Sequence, residues 1–250
     1  MTKKMQSKIK YNIGIVIPCY MVSNSLNEIV EKLLKLSFIN KAINISNIII
    51  VDDCCPQHSY KSIKKNILKN SKVKSLKNKI NLGVGGAVKT GYKFLLKKNI
   101  NYVVKVDGDG QMDINHIENF VDHAISKNYQ YVKGNRFYNF ETIKKMPIIR
   151  LIGNAFLSFL NKFSSGYWDI FDPTNGFTLI SKETLEKLEL DKINNRFFFE
   201  SDMLFRLGLI KARVRDIPIQ AIYENEKSNL KIYKIIIPFL YFHLRNFLKR

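Results

Sequence analysis

Short apolar runs alternate with stretches of helical periodicity through the first half of this chain, and few folds accept that alternation. Ile13 to Pro18, Asn47 to Val51, Lys72 to Leu76 and Tyr102 to Val106 read as strands. Between them, Ser25 to Leu36, Ser59 to Leu68 and Gly86 to Lys97 read as helices, the first with Ser25 and Glu28 spaced as a capping box. The order β-α-β-α-β-α-β predicts an α/β fold, a mostly parallel central sheet with helices on both faces. Asn115 to Ser126 predicts another helix, Gly134 to Pro147 is polar and irregular, and Ile148 to Phe163 is an amphipathic helix. Ser164 to Gly176 reads as a loop, after which strand, helix and strand signals run to about Tyr223. Residues 1–229 are expected to form one domain, with a nucleotide-binding half at about 11–112 and an acceptor half at about 113–229. A basic, strongly apolar tail follows at 230–250.

The chain has 250 residues, 46% of them hydrophobic, which is enough for a large core and excludes global disorder. Cys19, Cys54 and Cys55 form no C-x-x-C pair, so reduced thiols in a cytosolic compartment are expected. Cys54, Cys55 and His58 lack a fourth ligand at zinc-like spacing. Met1 to Lys10 is basic and polar with no signal-type apolar segment, and no run reaches the ~20 apolar residues of a membrane span. A formal net charge of +20 admits phosphorylated substrates, anionic lipid and nucleic acid as partners. Scattered lysines and the lack of any nucleic-acid motif argue against the last, and no nucleic-acid partner is expected.

In open parallel sheets, ligands bind outside the carboxyl ends of the strands. Three loops fall there: Pro18-Cys19-Tyr20, Asp52-Asp53 and Asp107-Gly108-Asp109. The third is the most informative, because the apolar run ends abruptly and two carboxylates stand on the turn. Gly108 and Gly110 admit a sharp bend and a close ligand. Such a pair suits a hard divalent cation that itself holds a diphosphate, whereas a plain Asp-Gly turn is the competing reading. Tyr20 offers a ring for a nucleobase, and Asp53 an acceptor for a base N–H, unless Asp52-Asp53 is a cap or Asx turn.

Asn81 to Gly86 fails the dinucleotide fingerprint, since Val88 stands where glycine or alanine is required and the run follows the third strand. Its glycines, Gly85 among them, still favour phosphate or sugar oxygens near a helix N-terminus. Asp172 to Phe177 is a polar turn entering a strand, and Arg196 to Asp202 sets two acids beside an aromatic run. Asp202 is a candidate general base for an acceptor hydroxyl, or a first-turn acid stabilised by the helix dipole.

Taken together, these motifs resemble a family-2 glycosyltransferase of GT-A fold, close to the dolichyl-phosphate mannose synthase and polyprenyl-phosphate glycosyltransferase group. The resemblance covers residues 13 to about 231 and rests on Val16 to Tyr20, Ile50 to Asp53, Asn81 to Gly83, Asp107 to Gln111, Gly134 to Arg136 and Asp172 to Phe177. It implies Mg²⁺ or Mn²⁺ held by Asp107 and Asp109 with help from Gln111, and a UDP- or GDP-sugar donor. It implies a nucleoside pocket of Pro18, Tyr20, Val51 and Asp53, donor contacts from Arg136, and a substrate role for Gly108 and Asp172. Three departures stand out. Val22 replaces an acidic residue, Cys54-Cys55 replaces Gly-Ser, and Asn229 stands where a lysine is common, flanked by Lys227 and Lys231.

The tail, read as a helix of ~30 Å, would lie on an anionic membrane surface, with Pro238 kinking or interrupting it. Lys227, Lys231 and Lys234 would then receive a lipid phosphate. A core-packing C-terminal helix is the alternative. The expected activity is sugar transfer to a polyprenyl phosphate, for cell-surface glycan synthesis, by a protein peripheral on the cytoplasmic membrane face. Transfer to a saccharide hydroxyl with Asp202 as base is the second reading. A non-catalytic basic module for membrane or RNA is the third. A nucleotidyltransferase would want a Gly-rich basic loop after the first strand, and none is there.

Overall fold

The computed structural model describes residues 10–138, 144, 148–220 and 232–250. Seven strands form one sheet in the order β3-β2-β1-β4-β6-β5-β7. They are β1 (Tyr11–Cys19), β2 (Ile43–Asp52), β3 (Val73–Lys77), β4 (Tyr102–Lys105), β5 (Tyr131–Asn135), β6 (Thr178–Ser181) and β7 (Val214–Pro218). β6 runs against both of its neighbours, and the other pairings are parallel. This is the mostly parallel α/β architecture that the alternating pattern predicts.

Period-two alternation along β1 sends Ile13, Ile15 and Ile17 to one face and Val16 to the other. The first face is covered by α1 (Leu26–Lys35) and α4 (His116–Ser126), which bury Ile29, Leu33, Phe120 and Val121 against it. The second is covered by α3 (Val84–Leu95) and α7 (Phe199–Leu209), which bury Val88, Leu95, Met203 and Leu207. Each such side chain stabilises the fold by roughly 1.5–3 kcal/mol. α3 lies close on β1 because Gly91 has no side chain: a Cβ there would sit 2.5 Å from Val16 Cγ1. Register places Cys19 beside Asp52 and Val16 beside Lys105, so the loops after β1, β2 and β4 gather at one carboxyl edge.

Two local expectations give way. Ser59 to Leu68 is not one helix but a 3₁₀ turn (Ser59–Ser62) and a single turn, α2 (Lys65–Leu68). Asn27 causes the break, donating to Ser62 O at 2.7 Å and accepting from Lys64 N at 2.9 Å, while Ile63 turns into the core. The capping box also fails. Ser25 makes no side-chain cap bond, and Glu28 pairs with Lys32 at 2.6 Å instead.

α5 (Ile148–Ser165), the short α6 (Lys182–Lys187) and α8 (Ile232–Lys249) complete the described helices. α8 runs through Pro238 as one element rather than stopping there. It does not stand apart as a separate tail. Phe239, His243 and Asn246 are buried, and the Phe198 ring packs against Phe239, Phe242 and His243 at 4.8–5.1 Å. Its other side leaves Ile237, Leu240, Tyr241, Leu244 and Leu248 exposed. The core-packing reading thus describes the inner face of the helix. No described helix is long and apolar enough to cross a membrane.

Candidate active site

The Asp107-Gly108-Asp109 turn is clamped onto the loop after β1. Val106 N donates to Val16 O at 3.0 Å, and the Ser25 hydroxyl, unused as a cap, donates to Gly108 O at 2.5 Å. Gly108 sits so close to this loop that a Cβ would lie 3.0 Å from Val22 and 3.2 Å from Pro18 O. Val22 therefore packs the turn in place of offering a charge. Gly110, at φ +84°, reverses the chain, and Asp109 Oδ1 accepts from Gln111 N at 3.0 Å.

Behind the turn lies a charge the motif reading passed over. Lys105 Nζ is 2.7 Å from Asp107 Oδ1 and 3.1 Å from Glu200 Oε1, with Lys105 essentially closed to solvent. Burial alone lowers the affinity of this ammonium for its proton, but the two carboxylates outweigh it and raise its pKa. Among the described residues, no group of three or more His, Cys, Asp or Glu converges to hold a metal. Two carboxylates and a neighbouring amide on one turn fit a hard cation whose remaining oxygens come from a bound diphosphate, not a structural ion caged by protein.

On the nucleoside side, Pro18 is partly buried and Tyr20 is 44% exposed, leaving its ring open for stacking. Cys55 shapes this loop, its Sγ accepting from Met21 N at 3.2 Å and contacting Ser59 Oγ at 3.2 Å. Two expected pocket residues are used elsewhere. Val51 is wholly inside the core beneath α3, so its side chain lines no pocket. Asp53 is a brace, accepting from Asn78 Nδ2 at 2.8 Å, Leu82 N at 3.0 Å and Gly83 N at 2.7 Å. Asp52 is the neighbour with spare capacity: Oδ1 takes Cys55 N at 3.1 Å, and Oδ2 has no hydrogen-bond partner.

Arg136, at the end of β5, grips Asp172 through Nε at 2.7 Å and Nη2 at 2.8 Å, a bidentate pair. Burial works to raise the Asp172 pKa, but Arg136 and Lys133 overcome it and hold the carboxyl below its usual range. Asp172 is fully buried, so it orients Arg136 and does not itself meet substrate as expected. Lys133 donates to Asp172 O at 2.5 Å, and burial pushes its pKa down to about 8.

In the first turn of α7, Asp202 has structural partners on both carboxylate oxygens. Asp202 has 0% exposure and is saturated, accepting from Asn194 N at 2.8 Å, Arg245 Nη2 at 3.1 Å and Asn246 Nδ2 at 2.9 Å. A carboxylate so placed ties α8 to the body and has no open oxygen for an acceptor proton. Gly85 likewise serves packing. A Cβ there would lie 2.5 Å from Asn194 O and 2.7 Å from Phe199, so it brings α3 against α7 and not against a ligand. Lys231, Lys227 and Asn229 lie outside the described residues.

Fold and site define a class that the comparisons then specify. The model of Glycosyl transferase family 2 matches residues 14–189, and the chain belongs to that family. It is a glycosyltransferase. It is similar to the UDP-N-acetylglucosamine--dolichyl-phosphate N-acetylglucosaminyltransferase of Methanococcus voltae, 30% identical over 92% of this chain and 93% of that one. It is also similar to the undecaprenyl-phosphate mannosyltransferase of Micrococcus luteus, 24% identical over 82% and 81% of the two chains. Among solved structures it resembles Mycobacterium tuberculosis glucosyl-3-phosphoglycerate synthase in complex with Mn²⁺, UDP and phosphoglyceric acid. The TM-score there is 0.64 at 14% identity, covering 93% of this chain and 78% of that one, which speaks to fold alone.

Proposed function

We propose that this chain transfers a sugar from a nucleotide-sugar donor to a polyprenyl phosphate while peripherally bound at the cytoplasmic face of a membrane. The observation that carries the reading is the Asp107-Gly108-Asp109 turn at the carboxyl edge, with Tyr20 to one side and Arg136 to the other. Asp107 and Asp109, aided by Gln111, would hold Mg²⁺ or Mn²⁺. Such an ion, when bound, neutralises charge growing on the departing diphosphate. Pro18 and the exposed ring of Tyr20 would face the nucleoside. Arg136, fixed by Asp172, reaches the donor as a preorganised cation. Both UDP- and GDP-sugars remain within this description.

The acceptor reading rests on two further features. A phosphate oxygen is already a nucleophile, and Asp202, fully occupied, presents no base for a hydroxyl. Two groups of aromatic side chains also stand exposed, one on α5 and one at the residues flanking Arg136 and Asp172. Phe159 meets Phe163 at 4.8 Å, Phe163 meets Trp168 at 5.2 Å, and Tyr138 meets Phe171 at 6.3 Å. Ile148, Ile152 and Phe156 extend the first group along the exposed side of α5. The exposed apolar side chains of α8, Ile237, Tyr241, Leu244 and Leu248 among them, add to the apolar area that a lipid surface could cover.

Labelled UDP- and GDP-sugars, Mn²⁺ and a polyprenyl phosphate in vesicles test the proposal. Label should move to an organic-soluble product that mild acid releases. Label found on a saccharide instead, with none in the lipid fraction, would overturn it.

A further inference from the structure

We propose that Lys105 is a resident cation that occupies Asp107 until a divalent ion takes its place, with Glu200 as the counter-charge that keeps the ammonium beside the site. This rests on reading Asp107 as a metal ligand. Lys105 stands in an otherwise apolar strand and has two carboxylates within 3.1 Å, one on the turn and one on α7. The two acids differ in access. Asp107 keeps 28% of its side chain in solvent, whereas the Glu200 side chain keeps 10%, so the first can receive an ion and the second backs the lysine. Gly176 holds the space for this contact: a Cβ there would lie 2.5 Å from Asp107 Oδ2 and closer still to Lys105 Nζ.

A divalent ion arriving at Asp107 meets a positive charge already paired with its ligand, and the two compete. Glu200 offsets that competition by offering the ammonium a second partner, which lets Asp107 turn outward while the lysine stays neutralised. The trio thus sets how tightly the metal binds before donor arrives, and Lys105 and Glu200 are positioning residues with opposite signs. In a plain buried ion-pair cluster, removing either partner would disturb the turn and weaken metal binding in both cases.

Mn²⁺ titrations of the full chain without nucleotide, by calorimetry and by the electron paramagnetic resonance of free Mn²⁺, separate these outcomes. Lys105→Met should tighten Mn²⁺ by about tenfold, and Glu200→Gln should weaken it by about tenfold. Both variants weakening, or neither changing, would overturn the proposal. Where Lys105→Met does not fold, by its circular dichroism and melting curve, Lys105→Gln, which removes the charge but keeps a donor for both carboxylates, takes its place, and unchanged or weaker Mn²⁺ binding contradicts the idea. Wild-type chain that binds Mn²⁺ with unshifted variants refutes only the resident cation. Wild-type chain that binds no Mn²⁺, with or without nucleoside diphosphate, removes the metal reading as well.

Discussion

Asp107-Gly108-Asp109 and Glu200-Ser201-Asp202 place two acids at the same spacing, yet the molecule uses them differently. The first pair stands on a turn, where glycine lets the backbone fold so that both carboxylates remain at the edge of the sheet. The second stands in the first turn of a helix, where residues two apart point roughly 200° apart around the axis. Glu200 accordingly reaches inward to Lys105, and Asp202 reaches the Asn194 backbone and α8. Spacing alone does not make a ligand site; the backbone carrying it decides. The turn pair stands part-exposed beyond the end of β4, with Lys105 behind Asp107. The helix pair is spent on holding the protein together.

Breaking the turn pair should have the largest consequence. Asp109→Asn is expected to lower turnover about 10³-fold or more while leaving the melting temperature essentially unchanged, as steady-state kinetics and calorimetric melts would show. The helix pair should respond the other way. Asp202→Ala leaves Arg245 and Asn246 without their shared acceptor, and urea unfolding should register a loss of about 3–5 kcal/mol. Donor affinity of the folded fraction should survive that change. A hundredfold fall in turnover at wild-type stability would instead restore Asp202 as a base.

The contact between α8 and the body can be probed by pH as well. Burial pushes the His243 pKa down to about 4, from 6.5 when unfolded, with Nδ1 2.8 Å from Ser164 Oγ. Above pH 6.5 the ring is neutral in both states and its full contribution is present. As pH falls below 6.5 the unfolded chain takes the proton first, so stability declines until about pH 4, by about 3 kcal/mol in all. His243→Phe should flatten that window when its unfolding curves are subtracted from those of wild type. A smaller effect is expected on the outer face of α8. Replacing Tyr241 and Leu244 together by serine should weaken binding to anionic vesicles about tenfold, measured by co-sedimentation, with donor affinity intact.

Much of this was legible from residue pattern. Period-two runs such as Ile13 to Ile17 and helical periodicity in the segments between them carry the sheet, because each strand buries its alternate side chains against a helix. That the chain turns after Val106 was legible because Asp-Gly pairs at a strand end favour a turn. Side-chain partners were not. Nothing local says that Asp53 spends itself on the Leu82–Gly83 backbone, or that Ser25 caps no helix because Gly108 is 83 residues away in sequence and in contact. The clearest missed signal was a lysine in a strand covered on both faces. Lys105 and Lys133 lie opposite Thr178 from either side, so β4, β6 and β5 carry a polar row through an apolar layer. A charge in such a strand must have a buried partner, and here the partners are Asp107, Glu200 and the Asp172 backbone.

Calorimetric titration of UDP and of GDP, with and without Mn²⁺, into wild type, Asp109→Asn and Asp202→Asn compares the two acidic pairs directly. The wild-type chain should bind one of the nucleotides in a Mn²⁺-dependent manner, Asp109→Asn should lose that binding, and folded Asp202→Asn should retain it. Equal binding by Asp109→Asn and wild type, or loss confined to Asp202→Asn, would contradict the assignment of the turn to the ligand and the helix to the fold.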